Sequence, residues 1–86
     1  MGWLVNLATG EKRLMAREWA QEAEKAVATV SSSVWAYDGS ATLASATLTG
    51  TKATVLFTPT SDGLLTNTAT FSDGQVFIYM WQVVVD

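Results

Sequence analysis

The sequence predicts an all-β sandwich, and three observations carry that expectation. Turn signals (Asp38-Gly39, Gly50, Pro59 to Gly63, Ser72 to Gly74) recur about every ten residues between short segments. Residues 52–58 and 64–71 alternate apolar and polar side chains at the two-residue period of a half-buried strand. Residues 75–85, QVFIYMWQVVV, are β-branched or aromatic at most positions, the types that suit a pleated surface.

Taken in order, residues 2–9 (GWLVNLAT) form a short apolar arm holding Trp3, Leu4, Val5 and Leu7. Leaving a Trp and three aliphatics in water costs free energy, so the arm is expected to be docked. Its site is either a first strand on its own domain or a neighbouring subunit. The expected organisation is an N-terminal arm at residues 1–10 and one β-sandwich domain at residues 11–86. Residues 11–28 read two ways. Their Ala, Glu, Lys, Leu, Arg and Met favour helix. Met15, Trp19, Ala23, Ala26, Val27 and Val30 also share one helical stripe, with Thr9 as a candidate N-cap. The family resemblance described below predicts a strand and loop instead.

Residues 26–37 are β-rich, end at the turn dipeptide Asp38-Gly39, and offer Val30, Val34 and Trp35 as core candidates. Residues 41–49 read as a weak strand or extended crossing with Leu43 and Leu48 inward. In residues 52–58, Ala53, Val55 and Phe57 share one face. Pro59 to Gly63 is a loop, because Pro fixes φ and Asp-Gly favours a turn. Residues 64–71 put Leu65, Ala69 and Phe71 on one side, and Ser72 to Gly74 are expected to turn the chain into a hairpin with the last strand. That strand is apolar on both faces. One carries Val76, Ile78, Met80 and Val84 around Gln82, the other Phe77, Tyr79, Trp81, Val83 and Val85. One face is expected to be core. The other is expected to be covered by the N-terminal segment or by another chain.

Composition bounds the function classes. A chain of 86 residues makes one small domain, which usually needs a staple. It has no Cys and no His, so neither a disulfide nor a structural zinc site is expected, and oligomerisation or docking remains. The net charge is −3, and residues 26–86 hold one lysine against four aspartates. Without a basic stripe, nucleic acid is not an expected partner. The longest apolar run is about half of the ~20 residues a membrane span requires. The N-terminus lacks the basic region of a signal peptide, and Asn6 stands where a myristoylation signal has Ser or Thr. Synthesis in a cytoplasm without targeting is the expectation.

Catalysis has few groups to draw on, since the usual general base and the strongest nucleophile are missing. Asp38, Asp62 and Asp73 each precede a Gly and read as turn formers; their spacing matches no EF-hand. Glu18, Glu22 and Glu24 read as a charge-balanced surface. The chain is therefore expected not to be an enzyme and to need no cofactor or metal. Phe77, Tyr79 and Trp81 line one side of the last strand as core, protein interface or carbohydrate platform.

One further pattern spans about four fifths of the chain. Glu18-Trp19 is followed by a polar stretch at Gln21 to Lys25, a β-rich segment from Val30 to Trp35, and the turn at Asp38-Gly39. Then come Thr42 to Thr49, Gly50, Ala53-Thr54-Val55, a Gly loop at Ser61 to Gly63, Thr66-Asn67-Thr68, the Gly74 turn and the last strand. This order resembles a family of small tailed-phage virion proteins, the fiber–tail adaptor or neck-associated structural proteins with an immunoglobulin-like β-sandwich. The individual motifs are degenerate, and the resemblance rests on their order and spacing. The last strand here departs from the family's usual Arg and Asp on its outer face, having Phe77, Tyr79 and Trp81, which favours a covered strand. The family's Asp-Pro opening is also missing.

The resemblance implies an immunoglobulin-like sandwich of about seven short strands with an N-terminal arm. Within it, residues 14–25 form a strand around Leu14 to Trp19 and a loop near Gln21 to Lys25, alternatively a short helix. It implies a structural component of the virion, made in the host cytoplasm and present in multiple symmetric copies. Its partners would be portal, connector, tail or fiber subunits, with Trp3, Leu4, Trp19, Phe77, Tyr79 and Trp81 as interface candidates. A capsid decoration protein is the nearest alternative. A carbohydrate-binding or adhesion module stacking sugars on Tyr79 and Trp81 is the other.

Overall fold

Residues with β-branched and aromatic side chains at alternate positions need a facing layer to bury them, and the chain supplies two. A computed structural model describes residues 2–86; Met1 of the expected arm lies outside them. In chain order the described elements are β1 (Gly2–Leu7), β2 (Arg13–Glu18), α1 (Ala20–Ala26), β3 (Val30–Tyr37), β4 (Ala41–Thr49), β5 (Lys52–Pro59), β6 (Gly63–Phe71) and β7 (Val76–Val85). Four strands form one sheet in the order β1-β7-β6-β3, and three form a second in the order β2-β5-β4. All pairs are antiparallel except β1 with β7.

The core lies between the sheets. From β7, Trp81 and Val83 are buried, and from β6 so are Leu65, Asn67, Ala69 and Phe71. Facing them are Met15 of β2 and Ala53, Val55 and Phe57 of β5. Register sets Phe77 opposite the small Ala69 and Trp81 opposite Leu65. Trp35 of β3 stacks on Trp81 with ring centroids 5.5 Å apart, and Tyr37 meets Phe57 edge-on across the sheets at 4.8 Å.

The structure decides between some expectations and corrects others. Residues 2–7 form the edge strand of the larger sheet, pairing in register from Gly2 beside Met80 to Leu7 beside Val85. Leu7 is buried and Val5 packs on the core, so this segment docks on its own domain. Residues 11–28 are not one helix. The strand expected around Leu14 to Trp19 is β2, but the loop expected at Gln21 to Lys25 is the short helix α1. Val34 points outward, because it neighbours inward Trp35 and adjacent strand residues face opposite ways. Leu43 is also exposed, since β4 is an edge strand of the smaller sheet and its register shifts between Ala44 and Thr47.

Two local devices hold the ends. Helix α1 closes with Val27 in the left-handed conformation (φ 53°). The Val27 N–H donates to the Glu24 carbonyl, and the Ala28 N–H to the Ala23 carbonyl. That is a Schellman closure with a β-branched residue where Gly is usual. At one end of the sandwich the turns at Asp38-Gly39 and Asp62-Gly63 interlock. A Cβ on Gly39 would stand 2.5 Å from the Asp62 carbonyl oxygen, and one on Gly63 2.5 Å from Asp38 Oδ1. Only glycines allow this approach.

Candidate protein-docking surface

Pairing register fixes which residues of the larger sheet face outward. Ile78 of β7 lies beside Thr68 of β6, which lies beside Val34 of β3. The next row runs Met80, Thr66, Ala36, and the one beyond runs Leu4, Gln82, Leu64. Val76 and Thr70 complete the other end. Ile78 is 58% exposed, Val76 57%, Val34 61% and Leu4 62%, with Leu64 and Met80 also open to solvent. Among the described residues, every outward position of these four strands is uncharged. Near one edge the surface dips into a groove of about 360 Å³ lined by Trp3, Leu4, Leu64, Met80 and Gln82. The result is a contiguous, uncharged face of aliphatic and threonine side chains.

The residues expected to form an interface divide. Trp3 and Leu4 are exposed on β1, Trp3 to 67%. Phe77, Tyr79 and Trp81 instead face the second sheet: Tyr79 meets Trp81 at 4.7 Å, and Phe77 meets Phe71 at 5.0 Å. Trp81 is buried, and Phe77 and Tyr79 are partly buried against the core. The open face of β7 is the one with Val76, Ile78 and Met80. The signal for this lay in size, since the bulkier row fills the space between the sheets. Trp19 is buried to 2% exposure, and its Nε1–H donates to Asn67 Oδ1 at 2.7 Å. This bond ties the end of β2 to β6 and so joins the two sheets.

Several charged groups make contacts within the scaffold. The Arg17 guanidinium lies 4.5 Å from the Trp19 ring centroid and 4.4 Å from that of Tyr79, and pairs with Glu22 at 2.7 Å. It closes the mouth of the core between the sheets by cation–π contact. Asp38 Oδ1 accepts from the Leu64 N–H at 2.6 Å and Asp62 Oδ1 from the Val85 N–H at 2.7 Å, so both carboxylates clamp turns to strands. Hydrogen bonds from the Gln75 side chain and then its backbone hold the Asp73 carboxyl below its ordinary pKa. Burial first, then the charges of Asp62 and Asp38, raises the pKa of Tyr37, whose hydroxyl donates to the Ser61 carbonyl. Among the described residues, no three His, Cys, Asp or Glu side chains gather into a metal-sized group. Compared with known proteins, the chain matches no family model, no curated protein and no solved structure.

Proposed function

We propose that the protein is an assembly subunit whose work is to bury the outer face of the β1-β7-β6-β3 sheet in a protein–protein contact, as a structural adaptor of a tailed-phage virion. The observation that carries the docking part is the charge-free face itself. An 86-residue domain leaving Val34, Ile78, Val76 and Leu4 more than half exposed on one surface gains stability when a partner covers them. The virion setting comes from the order of motifs that resembles the fiber–tail adaptor and neck-associated family. The strand order supports the immunoglobulin-like topology that goes with it. Taking the strands in chain order, β2, β5 and β4 stand for B, E and D, and β3, β6 and β7 for C, F and G. The first strand leaves B and pairs instead with the last. Trp35, partly buried on the strand that stands for C, stacks on Trp81 of the strand that stands for G, and this supports the comparison with the Trp that antibody domains carry on strand C.

The test is proteomic. Virions purified from a lysate of the encoding phage are expected to contain the chain in many copies. Its absence from particles that carry head, neck and tail proteins would refute the adaptor assignment.

A further inference from the structure

We infer that the occupant of this outer face is a second copy of the chain, packed face to face about a two-fold axis. The inference rests on the docking reading above and names its partner. In a two-fold contact a patch meets itself, so a face without charges brings no unpaired charge against its copy. The rows through Ile78, Thr68 and Val34 carry none, and aliphatic and methyl-bearing surface is its own complement.

The area is sufficient. From Val76 to Gln82 along β7 the face runs about 20 Å, and four strands side by side span about 19 Å. Two such faces bring together about 800 Å² in projection. Side-chain relief raises the accessible area to the ~1,000 Å² that a specific interface needs. The chain also has no Cys to staple so small a domain, which leaves association as a route to stability.

The acidic turns select the crossing angle. Asp38 and Asp62 flank one end of this sheet and Asp73 the other, whereas the lateral strands β1 and β3 are uncharged. Parallel or antiparallel stacking of the two sheets would lay carboxylates over carboxylates. Crossing near 90°, one of the two observed modes of sheet packing, lays each acidic end over an uncharged side strand. The two-fold axis therefore runs diagonally to the strands.

Light scattering on the full chain, from about 1 to 500 µM, spans the micromolar constants expected of an interface this small. The mass is expected to rise from 9.2 kDa towards twice that value. Ile78→Lys, and independently Val34→Lys, are expected to weaken association at least tenfold with unchanged circular dichroism. Leu14→Lys, on the outer face of the other sheet, is expected to leave it intact. A dimer that survives both Ile78→Lys and Val34→Lys overturns the inference. So does a monomer at every concentration, and a hydrophobic dye then separates two failures. Dye binding that Ile78→Lys abolishes overturns only the second copy and leaves the docking surface standing, whereas no dye binding overturns both.

Discussion

Replacing Asn67 by Leu removes the polar link between the sheets at nearly constant volume. Asn67 is fully buried, accepts the Trp19 indole N–H at 2.7 Å, and donates to the Val34 carbonyl at 3.4 Å. Leucine accepts nothing, so the indole N–H is stranded in a site where Trp19 is 2% exposed. A buried donor left without a partner costs about 1–3 kcal/mol. A domain of this length has a total stability of roughly 4–13 kcal/mol. The loss should lower the melting temperature by roughly 5–20 °C, at about 4–8 °C per kcal/mol. Urea unfolding followed by far-UV circular dichroism measures it, and a double-mutant cycle with Trp19→Phe isolates the bond. Trp19→Phe strands Asn67 Oδ1 in turn, whereas the double variant strands neither group. The cycle should therefore return a coupling of about 1 kcal/mol or more. Additivity within about 0.3 kcal/mol, the scatter of independent sites, would refute the claim that this bond joins the sheets.

Two further predictions follow from strained or buried groups. Val27 holds φ 53° while 92% exposed, so Val27→Gly relieves left-handed strain and loses no packing. Strain of roughly 1–2 kcal/mol set against glycine's entropy of about 0.5–1 kcal/mol predicts a net gain of roughly 0.5–1 kcal/mol in urea unfolding. Tyr37 has its pKa raised by burial and by Asp62 and Asp38. Above about pH 10 the unfolded phenol ionises first. The unfolded state then binds fewer protons, and stability falls as pH rises. The urea midpoint should decline across that range, and Tyr37→Phe should flatten the decline.

Much of the sandwich was legible because single-faced alternation is unambiguous. Ala53, Val55 and Phe57, and Leu65, Ala69 and Phe71, are inward as their period requires. Residues 15–23 misled for a definite reason. Met15 and Trp19 are four apart, a spacing that puts two residues on one side of a strand and also on one side of a helix. Met15, Trp19 and Ala23 are buried, but Val27 of the same helical stripe is 92% exposed, because the chain reaches these positions by a strand, Trp19 and then one short helix that ends before Val27. On β7, period could not choose between two apolar faces. The choice rests on tertiary fit, with Trp81 stacking on Trp35 and Phe77 opposite Ala69. The full extent of the outer face was hidden for a different reason. It assembles Leu4, Val34, Leu64 and Ile78 from four strands, and no local window of sequence contains that combination. The left-handed Val27 gave no signal at all, since the helix ends there without the expected glycine.

The claim that the outer face of β1-β7-β6-β3 is the working surface is tested most directly by amide chemical shifts. Two-dimensional ¹⁵N–¹H spectra of the isolated chain, recorded as its concentration rises, report which residues enter a contact. The predicted result is a set of concentration-dependent shifts confined to residues 76–82, 64–70 and 32–36 and to Leu4. Shifts centred on the β2-β5-β4 sheet, or on the free edge of β4, would contradict it.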